Sequence, residues 1–124
     1  MRNDQEQNPI VEKSFRLAID IIKYSEQLEK QSKYIIARQL LKSGTSIVAN
    51  IREAQNAESK LDFIHKLKIA AKEADETEYW LLLCKECQYP DTSILLNQVE
   101  EVIKILSKII STSKKNTNSK TLSN

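Results

Sequence analysis

The chain has few of the residues that form turns, with one glycine and two prolines in 124 residues. A protein of many short strands needs frequent turns, so this scarcity argues against an all-β fold. The length suits one domain, and a hydrophobic content of 40% is enough for one core. The composition therefore predicts a single all-α domain.

The sequence also lacks a long apolar run and a strong excess of one charge. No stretch approaches the roughly 18 continuous apolar residues of a membrane span, and the polar start MRNDQEQN has no apolar segment of a secretory signal. We therefore expect a cytoplasmic protein that does not associate with membranes. With 19 Lys and Arg against 17 Asp and Glu, the net charge of +2 is too small to indicate nucleic-acid binding by itself.

Residues for catalysis or metal binding are scarce as well. Asp62 and His65 have the i, i+3 spacing of metal-binding bundles, but His65 is the only histidine and a di-iron bundle repeats the motif on two helices. Cys84 and Cys87 have no second cysteine pair to complete a zinc site, so we expect reduced thiols packed at or near the core. Without a glycine-rich phosphate loop either, the sequence predicts no catalytic, metal or cofactor site and no enzyme.

What the sequence does contain is four segments with apolar residues at helical spacing. Asn8 and Pro9 mark the start of the first helix, Ser32 can cap the second, and Ser59 with Asp62 forms a capping box before the third. Short connections between long helices favour antiparallel neighbours, hence an up-down-up-down four-helix bundle. We predict helices over 9–30, 33–56, 60–88 and 92–112, forming a domain over 9–112 between a flexible N-terminus (1–8) and a disordered tail (113–124).

Each helix has an apolar stripe that we expect to face the core. The stripes are Val11, Phe15, Ala18 and Ile22, with Ile10, Leu17, Ile21, Tyr24 and Leu28 beside them; Ile36, Leu40, Gly44, Ile47, Ile51 and Ala54; Phe63, Leu67, Ala70, Ala74, Thr77, Leu81 and Cys84; and Leu95, Val99, Val102, Leu106 and Ile109.

Gly44 lies inside the second of these stripes, where glycine costs about 1 kcal/mol relative to alanine. We expect this cost to be offset by the close approach of another backbone across the small residues Ser43, Thr45 and Ser46. That neighbour is either a helix of the same bundle or a second subunit.

The antiparallel geometry allows a prediction about one contact. If the second and third helices turn back near residues 57–58, equal rise brings Glu78 level with Arg38. We therefore predict an ion pair from Glu78 to Arg38 or Lys42, against the alternative of a solvated glutamate.

The runs SGTSIVANIREAQNAES from Ser43 and DFIHKLKIAAKEADETEYWLLL from Asp62 resemble the 23S rRNA intervening-sequence protein family, known as four-helix bundle proteins. The positions that carry this resemblance are Ser43, Thr45, Ser46, Asn50 and Glu53 in the second helix and Phe63, Lys72, Glu73, Glu78, Tyr79, Trp80 and Leu81 in the third.

The resemblance implies an antiparallel bundle that assembles in bacteria as a ring, a homopentamer. Accessory variability proteins of diversity-generating retroelements are similar in fold, act with a reverse transcriptase and are associated with nucleic acid through a basic surface. In this reading Ser43, Gly44, Thr45, Ser46, Asn50, Glu53, Glu78, Tyr79 and Trp80 have structural or assembly roles.

Two functional hypotheses follow. The first is a nucleic-acid-associated accessory protein, linked to RNA or ribosomal RNA, whose ring gathers weak basic patches from each subunit: Arg38, Lys42, Lys66, Lys68 and Lys72. The alternative for these cations is a solvated helix face. The second is a structural or protein-interaction module, with no nucleic-acid binding, whose partner is a protein encoded by a neighbouring gene and is contacted through the surface around Tyr79 and Trp80. Core packing within the subunit is the alternative for these aromatics.

Overall fold

A computed structural model of the protein describes residues 8–123, and the side chains of residues 8–116. It contains the helices α1 (Pro9–Lys30), α2 (Tyr34–Gln55), α3 (Lys60–Glu86) and α4 (Ser93–Ser123), and no strand among the described residues. All four begin within one residue of the predicted starts. Apart from Asn8, the N-terminus predicted to be flexible lies outside the described residues.

The ends of α1 and α3 are formed by the same backbone turn, in which a non-glycine residue adopts a left-handed conformation. Ser32 has φ 63° and Gln88 has φ 61°. After each of them, a backbone N–H donates to a carbonyl in the last turn of the helix, Lys33 to Leu28 at 2.9 Å and Tyr89 to Cys84 at 3.0 Å. Ser32 therefore ends α1, and it does not cap α2 as the sequence predicts.

The four helices form an antiparallel square. α2 lies between α1 and α3, and α4 lies between α3 and α1. Among the described residues, the backbones of diagonally opposite helices stay apart, although the Tyr24 hydroxyl of α1 reaches across the core to Cys84 of α3. Side chains close the square between the first and last helices, where Gln98 donates to Asp20 at 2.9 Å and Lys13 pairs with Glu101 at 3.0 Å. This arrangement confirms the predicted up-down-up-down four-helix bundle.

The core contains nearly all of the predicted stripes of α2, α3 and α4, but the prediction for α1 is partly wrong. Phe15 is 44% exposed and Ile22 is 39% exposed. Leu17, Ile21 and the residues spaced with them are buried instead. The apolar side of α1 is wider than the surface that the other helices can bury. The set that includes Phe15 and Ile22 and the set that includes Leu17 and Ile21 both have helical spacing, so periodicity alone could not show which set is buried.

The last helix extends beyond its predicted end, so the prediction of a disordered tail needs correction. Residues 113–123 continue α4 as helix. Neither proline nor glycine occurs among them to stop the helix. Ser113 is buried, which holds the first part of this extension against the bundle.

Candidate interaction surfaces on α1, α2 and α3

A polar contact between α2 and α3 lies inside the core. The hydroxyl oxygens of Ser43 and Thr77 are 2.8 Å apart, and Thr77 also lies 2.8 Å from the carbonyl oxygen of Glu73. Both side chains are buried, at 2% and 0% exposure. Each hydroxyl has one proton, so two arrangements satisfy both groups: Thr77 donates to Ser43 while Ser43 donates to the Leu40 carbonyl at 3.4 Å, or Thr77 donates to the Glu73 carbonyl while Ser43 donates to Thr77. The contact fixes the level at which the two helices meet.

At Gly44, α2 packs so closely on Ile21 of α1 that no room is left for a side chain. A Cβ atom at this position would lie 2.8 Å from Cγ2 and 3.1 Å from Cγ1 of Ile21. Real Cβ atoms essentially never approach so closely. Of the two readings of this glycine, the structure therefore shows packing within one bundle, because Ile21 already fills the space above it.

The small polar residues that follow Gly44 are bonded within their own helix. Thr45 donates to the carbonyl of Leu41 at 2.7 Å, Ser46 to Lys42 at 2.7 Å, and Asn50 to Ser46 at 2.8 Å. All three are half-buried. Each of these side chains thus already donates a hydrogen bond within the helix, which lowers the cost of covering this side of α2 with another surface.

Glu53, near the C-terminal end of α2, forms an ion pair with Lys66, near the N-terminal end of α3. The Lys66 Nζ atom lies 2.9 Å from Glu53 Oε1. The hydrogen bond to Glu53 raises the pKa of Lys66. This predicted nucleic-acid-binding lysine is therefore already paired with a carboxylate of its own chain.

The predicted ion pair of Glu78 with Arg38 or Lys42 is wrong, because Glu78 has no cation within 4.0 Å among the described side chains. The Ser43 and Thr77 contact makes Glu78 level with Lys42. However, Glu78 follows Thr77 by about 100° around α3, on the side away from α2. Arg38 precedes Ser43 by five residues, so it too points away from the helix interface.

The five predicted basic residues do not form one patch. Lys42 and Lys72 both lie near Glu73. Burial raises the pKa of the Glu73 carboxyl and repulsion from Glu76 raises it further, whereas the two lysines lower it. Lys68 instead lies within hydrogen-bonding reach of Lys114 of α4, and this contact, together with the repulsion between the two like charges, lowers the pKa of Lys114.

Two surfaces on the sides of the bundle expose large apolar side chains. The first, the α3 ridge, consists of Tyr79, Leu82 and Leu83, which are 56%, 45% and 37% exposed. The second, the α1–α2 face, consists of Phe15, Ile22 and Leu41, with the half-buried Ile19, Thr45 and Val48 between them. The α1–α2 face was not predicted from the sequence, because Phe15 and Ile22 were assigned to the core and Leu41 was assigned to no surface.

The two predicted aromatic contacts differ in burial. Tyr79 points outward, whereas Trp80 packs partly against the core, with the ring centres 5.1 Å apart in an edge-to-face arrangement. Trp80 also borders an open cavity of about 470 Å³, together with Tyr34, Ile35, Ile36, Gln39 and Tyr89. The Lys33 ammonium group lies 5.2 Å from the centre of the Tyr89 ring in the same region.

The residues considered for chemistry are dispersed. No group of three or more His, Cys, Asp or Glu side chains that could hold a metal occurs in the part of the chain that the structure describes. Cys84 is buried, and burial raises the pKa of its thiol. Cys87 is exposed, so the expectation that both thiols pack at the core holds only for Cys84. Within the same residues, no helix is apolar over enough of its length to cross a membrane.

Comparison with known proteins gives a family and a structural relative. The family model described as 23S rRNA-intervening sequence protein matches residues 6–111. A crystal structure at 1.70 Å resolution of a protein of unknown function from the S23 ribosomal protein family, from Bacteroides thetaiotaomicron, is 43% identical. The match covers 82% of this chain and 97% of that chain, with a TM-score of 0.78. No match is found among curated proteins.

Proposed function

The chain belongs to the 23S rRNA-intervening sequence protein family, and we propose that it is a non-enzymatic protein that assembles into a ring-like homo-oligomer, a pentamer, in the cytoplasm. The observation that carries this proposal is the exposure of large apolar residues along the sides of the helices, on the α3 ridge and the α1–α2 face. Apolar patches with polar surroundings are typical of protein interfaces.

The non-enzymatic part of the proposal rests on how the potentially reactive groups are used. The Ser43 and Thr77 hydroxyls are bonded to each other inside the core. Burial raises the pKa of Cys84 and so keeps its thiol in the less nucleophilic protonated form. These groups stabilise the bundle, and they are not accessible to a substrate.

The test of self-association is the molar mass of the full-length chain in solution, measured by light scattering after size-exclusion chromatography and by native mass spectrometry. We expect a species of about five times the 14.3 kDa chain mass. A monomer over the whole micromolar concentration range would contradict the proposal. A closed dimer would contradict the ring.

Nucleic-acid binding is a second candidate function, favoured by one observation. Lys68 and Lys114 lie close enough to repel each other, and neither has a carboxylate within 4.0 Å among the described side chains. A phosphate group would relieve this repulsion, and a ring would repeat the site in every subunit. Lys66, which is neutralised by Glu53, provides a matched control.

The experiment is fluorescence anisotropy with labelled RNA and DNA over a range of salt concentrations. We expect binding that weakens steeply with salt, and a larger loss of affinity for Lys68→Ala than for Lys66→Ala. If an intact oligomer binds neither nucleic acid, this second function is refuted. That result would favour the alternative, a structural or protein-interaction module.

A further inference from the structure

The α3 ridge and the α1–α2 face lie at the same level along the bundle. The Ser43–Thr77 and Glu53–Lys66 contacts fix the register of α2 against α3 and place Leu41 level with Tyr79. The contact of Gly44 with Ile21 places Ile22 at nearly the same level. Two copies standing side by side, with corresponding helices parallel, would therefore bring the two surfaces to one height.

One cation of the α1–α2 face lies at nearly the same height as carboxylates of the α3 ridge, although Glu12 and Glu26 of α1 also border this face. Arg38 lies one turn from Leu41 on α2 and has no carboxylate within 4.0 Å among the described side chains. On the α3 ridge, Asp75 and Glu86 flank the apolar residues and likewise have no cation at this distance. Opposite charges at the rim of an interface favour the correct orientation of two partners.

The two surfaces lie on different parts of the molecule. The α3 ridge is on the outer side of α3, the helix diagonally opposite α1. The α1–α2 face occupies a side to which α3 does not contribute. A contact between two different surfaces is heterologous, and repeating it through a rotation that closes produces a ring.

We propose that the α3 ridge of one copy packs against the α1–α2 face of the next copy. Tyr79 and Leu82 cover Ile22 and Leu41, and Arg38 faces the carboxylates of the neighbouring ridge. This contact rests on the proposed self-association and specifies its geometry. Each subunit contributes one surface of each kind, so no copy in a closed ring has an uncovered surface.

The experiment uses one variant for each surface. Tyr79→Glu places a charge on the α3 ridge, and Leu41→Glu places one on the α1–α2 face, with Phe15→Glu as a second variant of that face. Ile94→Glu is the matched control, because Ile94 is 69% exposed and belongs to neither surface. Circular dichroism verifies that each variant remains helical, and native mass spectrometry gives the mass.

We expect Tyr79→Glu and Leu41→Glu to be monomeric when measured alone, and Ile94→Glu to retain the wild-type mass. An equimolar mixture of the two monomeric variants has one intact surface of each kind, so it should form a 1:1 dimer and nothing larger. If Leu41→Glu fails to fold, Phe15→Glu takes its place in the same mixture.

Other outcomes separate this contact from the proposed function on which it rests. A monomeric wild-type protein would refute self-association itself. A wild-type oligomer whose mass is unchanged by Tyr79→Glu and by Leu41→Glu would refute only the contact. Single variants that dimerise alone, or a mixture that stays monomeric, would exclude a heterologous interface between these surfaces.

Discussion

Replacing Gly44 by alanine tests whether α1 and α2 touch as closely as the structure indicates. Alanine is favoured over glycine in a helix by about 1 kcal/mol, so an uncrowded site would be stabilised by that amount. Here the new Cβ atom would lie 2.8 Å from Cγ2 of Ile21, a fully buried side chain whose β-branch limits its rotation. Overpacking of this kind costs about 1–3 kcal/mol. The two terms together predict a net destabilisation of about 1 kcal/mol for Gly44→Ala.

The same substitution should change sign when Ile21 is shortened. Ile21→Ala alone should cost about 2–5 kcal/mol because it leaves a cavity. In that background both Cγ atoms that crowd the new methyl group are gone, and the remaining close atom, Cβ of residue 21 at 3.2 Å, needs to shift by only a few tenths of an ångström into the cavity. Gly44→Ala should then stabilise by up to about 1 kcal/mol, so the double-mutant cycle predicts a coupling of up to about 2 kcal/mol between the two positions.

The assay is urea unfolding followed by circular dichroism at one fixed protomer concentration, because self-association makes stability depend on concentration. Ala49→Gly, on the exposed side of α2, calibrates the helix propensity and should cost about 1 kcal/mol. Equal effects of Gly44→Ala in both backgrounds would refute the close contact. So would stabilisation by Gly44→Ala alone.

Three further predictions concern single groups. Thr77→Val should cost about 1–2 kcal/mol in urea unfolding because it removes the 2.8 Å contact with the buried Ser43 hydroxyl and leaves that hydroxyl only the Leu40 carbonyl at 3.4 Å, and Thr77→Ser should recover most of the loss. Tyr24 donates to the Pro90 carbonyl at 2.7 Å, so Tyr24→Phe should cost about 1 kcal/mol at neutral pH. Burial raises the pKa of Tyr24, so the stability contributed by its neutral phenol is complete below the ordinary value of about 10 and is lost as pH rises through the raised value. The wild type should therefore lose more stability above pH 10 than Tyr24→Phe does, and equal losses would contradict this. A thiol reagent should modify Cys87 in the native protein and Cys84 only after unfolding, because Cys84 is buried and its pKa is raised; equal rates would contradict the burial.

The core of α2, α3 and α4 could be predicted from the sequence because each has one apolar stripe with steps of three and four residues. The core side of α1 could not, since Phe15 and Ile22 have the same spacing as the residues that are buried. The turns that end α1 and α3 could not be recognised from the sequence. A glycine usually occupies the left-handed position of such a turn, but here Ser32 and Gln88 occupy it.

The contacts between helices were less predictable than the helices themselves. The ion pair predicted for Glu78 was wrong because Glu78 lies on the flank of α3 that faces away from α2. The spacing of the apolar residues shows which side of α3 faces the core, but it does not show which flank of that side packs against α2. The family resemblance identified the small polar run of α2, and the family is confirmed over residues 6–111. The sequence did not show whether Gly44 packs within the subunit or against another subunit, because that depends on the position of Ile21 in the folded bundle.

Chemical cross-linking most directly tests the proposed contact between the α3 ridge of one copy and the α1–α2 face of the next. In a Cys87→Ser background, a chain carrying both Leu41→Cys and Tyr79→Cys is treated with a short bis-maleimide, and chains carrying only one of the two are treated in parallel. The double variant should form covalent multimers up to the size of the ring, while each single variant should remain uncross-linked. Dimers of either single variant, or a double variant that stays monomeric on a denaturing gel, would contradict the account.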